Sequence, residues 1–75
     1  MCGIIGYIGY RNATEVVLNG LQRVEYRGYD SAGLSLIEPN DKKIKTFKKQ
    51  GRLSELCKIV DTKECSSNIA IGHTR

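Results

Sequence analysis

Seventy-five residues with 12 basic and 8 acidic side chains, a net charge of +4, leave room for one small and mildly basic domain. The apolar runs are far too short to cross a bilayer, and no basic leader precedes an apolar core, so neither a membrane anchor nor export is expected and a reducing cytoplasm is. Three cysteines, Cys2, Cys57 and Cys65, are odd in number and lack CxxC spacing, which argues against a zinc site or a disulfide framework.

The chain opens on Cys2-Gly3-Ile4-Ile5-Gly6-Tyr7-Ile8-Gly9. Residues 4–8 are apolar on both faces and predict a central strand covered on each side. Gly6 and Gly9 weaken strand propensity and point to close backbone approach or a bulge. A strand does not account for the thiol directly behind Met1. If Met1 is removed, Cys2 becomes an N-terminal nucleophile with its own α-amine as base. A free thiol has a pKa near 8.5, so only a few per cent is thiolate at neutral pH. An α-amine with pKa about 7.7–8.0 is roughly a tenth neutral at pH 7, far more than a lysine with pKa about 10.4. Nucleophile and base then share one residue. With Met1 retained, the Cys2 nitrogen is an amide and cannot serve.

Tyr10-Arg11-Asn12 predicts a turn, with Asn12 as N-cap and Glu15 three residues on in a capping-box-like position. A helix follows over 13–24. Ala13, Val17, Gly20, Leu21 and Val24 share one face, with Val16 beside them. Gly20 costs a helix up to about 1 kcal/mol against alanine, which points to close packing on a sheet.

Glu25-Tyr26-Arg27-Gly28-Tyr29-Asp30-Ser31-Ala32-Gly33 crowds two tyrosines, an arginine and an aspartate between that helix and the next strand. Glycine, aspartate and serine suit a plain turn. So many hydrogen-bonding side chains suit a loop that clamps an active site. Residues 33–37 then alternate as a strand, Pro39-Asn40-Asp41 turns the chain, and 44–49 return as the second arm of a hairpin. A helix over 52–60 puts Leu53, Leu56, Cys57 and Val60 on one face, which makes Cys57 a core residue. Cys65 falls in a polar loop without an assigned role. A last strand over 69–71 brings His73, Thr74 and Arg75 to a strand end, where pocket residues commonly lie.

Cys2-Gly3-Ile4-Ile5-Gly6, then Arg27-Gly28-Tyr29-Asp30-Ser31-Ala32-Gly33, then Gly72-His73-Thr74-Arg75 resemble, in order, the start of a class II glutamine amidotransferase. The resemblance implies an α+β fold, the N-terminal-nucleophile hydrolase four-layer αββα sandwich, with 1–75 as the N-terminal portion of its amidotransferase domain. It also implies roles. Cys2 attacks the side-chain amide of glutamine, releases ammonia and forms a glutamyl thioester that water cleaves. Arg27 and Gly28 hold the nucleophile end, the Gly28 carbonyl accepting from the Cys2 amine. Arg75 grips the glutamine α-carboxylate, where a planar guanidinium can bind bidentately and a lysine cannot. His73 and Thr74 line the same pocket, although a histidine at a strand end can equally satisfy a backbone group.

The wording of residues 27–33 is similar to that of family members that pass ammonia to a downstream sugar isomerase domain with fructose 6-phosphate as acceptor. Amidophosphoribosyltransferases and asparagine synthetases share the cysteine and the arginine–glycine pair but spell the loop differently. The resemblance implies no metal or organic cofactor, and a homo-oligomer for the full-length protein. In the family, the oxyanion-hole asparagine–glycine pair and the aspartate that holds the substrate amine come after the position of Arg75. Losing one oxyanion donor costs ~10²–10³ in rate, so a chain ending at Arg75 is expected to be inactive. Two other readings stay open: a class II amidotransferase with another acceptor, and a non-enzymatic basic module binding nucleic acid through Lys42, Lys43, Lys45, Lys48 and Lys49. A solvated hairpin explains those lysines without nucleic acid, and none is expected.

Overall fold

The apolar run after residue 2 forms strand β1 (Gly3–Ile8), and five further elements follow: α1 (Ala13–Val24), β2 (Ser31–Ile37), β3 (Ile44–Gln50), α2 (Leu53–Ile59) and β4 (Ile69–Thr74). The structure, a computed structural model, describes residues 3–24, 31–38, 42–60 and 66–75. Among these, the four strands make one antiparallel sheet in the order β1-β4-β2-β3. The predicted hairpin is present. Its turn is closed by the Lys42 amide donating to the Glu38 carbonyl (2.8 Å) and the Glu38 amide to the Lys43 carbonyl (2.9 Å).

Two expectations differ from this arrangement. β1 is an edge strand and not a central one, and its outward residues Ile4 and Ile8 are 77% and 76% exposed. Strand order is set by pairing with residues some 65 positions away in the chain, which local hydropathy does not encode. β4 runs on through His73 to Thr74, where a stop at Ile71 was expected. Pairing with β1 on one side and β2 on the other supplies ladder bonds along its length, which outweighs the low strand propensity of Gly72.

Both helices cover the same face of the sheet. The Asn12 side-chain oxygen accepts from the Thr14 amide (3.2 Å) and starts α1 as expected of an N-cap. The buried stripe of α1 is Ala13, Thr14, Val17, Leu18 and Leu21, rotated from the expected face toward Thr14 and Leu18, with Val16, Gly20 and Val24 only half-buried, because α2 lies alongside as well as the sheet. These pack with Ala32, Leu34, Leu36, Leu53, Leu56, Val60 and Ala70 into one core, and Cys57 borders it as its spacing predicts.

Two glycines let α1 settle onto the sheet. A Cβ at Gly72 would stand 2.6 Å from Val17 Cγ1 and 3.0 Å from Leu21 Cδ1. A Cβ at Gly20 would collide with the end of Ile5. Helix side chains thus enter a hollow in the strand, and a strand side chain enters a hollow in the helix. Ser67, 3% exposed, ties the start of β4 to the end of β2: its hydroxyl donates to the Ile37 carbonyl and accepts from the Ile69 amide (3.1 Å).

Candidate functional site

Three stretches singled out in the sequence meet at one end of the sheet. Gly3, at the start of β1, pairs with Thr74 at the end of β4, and Thr74 pairs in turn with Ala32 near the start of β2. Beyond Thr74 the pairing continues into Arg75, whose amide donates to the Ser31 carbonyl (2.8 Å) and whose carbonyl accepts from the Ser31 amide (3.2 Å). Val24, the last residue of α1, comes to the same place, since a Cβ on Gly3 would lie 3.1 Å from Val24 Cγ2. Cys2 precedes Gly3 by one peptide bond, and the segment 25–30 joins Val24 to Ser31. Cys2, Arg27 and Gly28 themselves lie outside the described residues. The anchors on either side of them are close together.

Strand alternation divides the three residues at the end of β4. Thr74 is 2% exposed and faces the helices; an added Gly3 Cβ would meet its Oγ1 at 3.2 Å. His73 is half-buried on the opposite face, paired with Ile4 on one side and Gly33 on the other. His73 and Thr74 therefore do not line one pocket. A strand that stopped at Ile71 would leave both at its end, free to point the same way. In a strand that continues, successive side chains must point to opposite faces. Arg75 is exposed.

The face away from the helices carries a groove of about 310 Å³, lined by Ile4, Ser35, Thr46, Lys48, Ile71 and His73 among others. Its floor is crossed by a Ser35–Thr46 hydroxyl pair at 2.8 Å. No described element covers this face, and Ile44, Ile71 and Ile69 stand 71%, 55% and 40% exposed along it.

The lysines of β3 do not form a single basic face. Lys48 shares a row with Gly33 on the groove side, while Lys45 and Lys49 pair with Leu36 and Ala32 on the helix side. Lys45 also lies 3.4 Å from Glu38. Nucleic-acid binding calls for charge gathered on one surface with aromatic platforms, and this strand splits it. Among the described residues, no group of three or more histidine, cysteine or acidic side chains is placed to hold a metal ion, and no helix is long and apolar enough to cross a membrane.

Comparison with known proteins gives the site a context. No family model matches the chain. Over all 75 residues it is 53% identical to the glutamine–fructose-6-phosphate aminotransferase [isomerizing] of Staphylococcus epidermidis (strain ATCC 35984) and 52% identical to that of Staphylococcus aureus (strain N315), and it spans 12% of the length of each. Among solved structures it is similar to the glutamine phosphoribosylpyrophosphate amidotransferase from B. subtilis complexed with ADP and GMP. The TM-score is 0.81 at 25% identity, covering all of this chain and 16% of that one. The α+β class and the N-terminal-nucleophile hydrolase fold expected from the sequence agree with that neighbour. Of the four αββα layers, the described residues supply two: one sheet and the helices on one of its faces.

Proposed function

Because this chain is similar from end to end to the N-terminal region of the glutamine–fructose-6-phosphate aminotransferases, we propose that it carries the nucleophile of a glutamine-hydrolysing site. The observation that carries the reading is the meeting of three ends: the start of β1 next to Cys2, the start of β2 behind Arg27 and Gly28, and the end of β4 at Arg75. Side chains from three separated motifs can work on one substrate only if the fold brings their anchors together, as here.

Removal of Met1 frees the Cys2 α-amine. The amine takes the thiol proton, and the sulfur attacks the glutamine side-chain carbonyl carbon to give a tetrahedral oxyanion. That intermediate collapses with breakage of the carbon–nitrogen bond, and the protonated amine hands its proton to the leaving nitrogen, which departs as ammonia. Water then attacks the thioester with the amine again accepting a proton, and glutamate leaves as the thiol is restored. Arg75 holds the substrate carboxylate through paired charge-assisted hydrogen bonds. The Gly28 carbonyl accepts from the Cys2 amine and Arg27 steadies the same end. His73 borders the pocket on the open face, and Thr74 supports the strand end from beneath.

In the full-length protein the ammonia passes to fructose 6-phosphate at a downstream isomerase domain, giving glucosamine 6-phosphate and glutamate. That protein works as a cytoplasmic homo-oligomer, without a metal or organic cofactor.

Intact mass of the full-length protein before and after a glutamine-mimicking thiol alkylator tests the mechanism. Loss of Met1 and a single adduct on Cys2 are expected; retained Met1 or an unlabelled Cys2 would overturn it. The likeness to the phosphoribosylpyrophosphate amidotransferase favours one rival, a different ammonia acceptor. Glutamine-dependent product formation with fructose 6-phosphate, and none with phosphoribosyl pyrophosphate, separates the two.

A further inference from the structure

On the open face, one row of cross-strand partners runs across all four strands at the end where the three motifs meet: Ile4 on β1, His73 on β4, Gly33 on β2 and Lys48 on β3. The imidazole of His73 has two ways to lean, over Ile4 or over Gly33. It leans over Gly33. A Cβ built on Gly33 would lie 2.6 Å from His73 Nε2, 3.1 Å from Cδ2 and 3.4 Å from Cε1, and these three ring atoms are its nearest neighbours. The ring therefore occupies the space that a side chain at residue 33 would fill.

Gly33 has no other evident reason to be glycine. No positive φ is recorded at this position, so the backbone there suits any residue. Glycine in the middle of a strand costs roughly 0.5–1 kcal/mol against alanine. Leu34 and Leu36, on the helix-facing side of the same strand, are packed in the usual way at 2% and 1% exposure.

We infer that Gly33 is a positioning residue: by offering no side chain it seats the His73 imidazole over β2 and keeps the ring clear of Ile4 and the start of β1, the strand that directly follows the proposed nucleophile in the chain and toward which, on the glutaminase reading, glutamine approaches. The inference rests on the glutaminase reading for its kinetic consequence, but not for the placement of the ring. A methyl group at residue 33 forces the ring toward Ile4. Because the colliding atoms belong to a side chain that can swing about its own torsions, and not to backbone, the fold survives while the ring moves. Glutamine is then obstructed as it binds, with the nucleophile and its base untouched.

The test is a double-mutant cycle in the full-length protein. Gly33→Ala is expected to raise KM for glutamine about tenfold with kcat within about twofold, since a misplaced group near the substrate costs one to two orders of magnitude. In a His73→Ala background the same substitution is expected to change KM less than twofold, because no ring remains to be displaced. A crystal structure of the Gly33→Ala protein is expected to show the imidazole turned toward Ile4. Should Gly33→Ala fail to fold while Gly33→Ala/His73→Ala folds, the ring cannot swing aside and the inference is overturned. Equal KM increases in both backgrounds, or an imidazole unmoved by the added methyl, would overturn it. A wild-type protein that releases no ammonia from glutamine would instead sink the glutaminase reading, and the ring position in the crystal would still decide the inference.

Discussion

The two faces of the sheet are built from similar residues and have opposite fates. On the helix side Ala32, Leu34, Leu36 and Ala70 are no more than 4% exposed. On the other side Ile4, Ile8, Ile44, Ile69 and Ile71 are 40–77% exposed. Isoleucine is at least as apolar as the leucine and alanine opposite it, so intrinsic hydrophobicity does not set the difference. What sets it is whether a neighbouring element supplies a complementary surface, as α1 does with Val17 and Leu21 in the hollow of Gly72. The helix side holds the fold together, and the open side, at the end bearing His73 and Arg75, carries the proposed chemistry.

That division can be broken most sharply at Cys2. Cys2→Ala in the full-length protein is expected to lower ammonia release from glutamine by at least about a thousandfold with no change in unfolding midpoint, since the nucleophile cannot be replaced by its surroundings. Retained activity, measured by coupled ammonia assay, would end the proposal. On the helix side, Leu21→Ala removes a side chain with 0% exposure from beneath the sheet. It is expected to cost about 2–5 kcal/mol by denaturant unfolding, and to affect activity only through the fraction folded.

Arg75→Lys keeps the charge and loses the planar fork. A rise of roughly tenfold to a hundredfold in KM for glutamine is expected, corresponding to about 1.5–3 kcal/mol for a hydrogen bond to a charged group. An unchanged KM would remove Arg75 from substrate binding. The smallest effect belongs to the open face away from the site. Ile8→Thr in this chain is expected to shift stability by no more than about 0.5 kcal/mol. A loss above about 1.5 kcal/mol for the same substitution in the full-length protein would show that the open face is covered there.

Much of this was legible in local pattern. The period of α1, its start at Asn12, the hairpin of β2 and β3 and the inward position of Cys57 follow from spacing and turn chemistry, which are short-range. Strand order was not legible, because β1 pairs with residues near the other end of the chain. The opposed directions of His73 and Thr74 were missed for a related reason: they depend on how far β4 continues, and that is decided by the strands flanking it. The motifs at Cys2, Arg27 and His73–Arg75 could be read in order. The seat of the imidazole could not, since Gly33 and His73 become neighbours only through the register between β2 and β4.

The pairing of the first strand with the last has a consequence for biosynthesis. β1 finds its only described partner, β4, after residue 74 has been made. At ~5–20 residues per second, translation leaves the N-terminus without that partner for roughly 4–15 s. Removal of Met1, which the proposed mechanism requires, thus has an interval in which β1 is still unpaired.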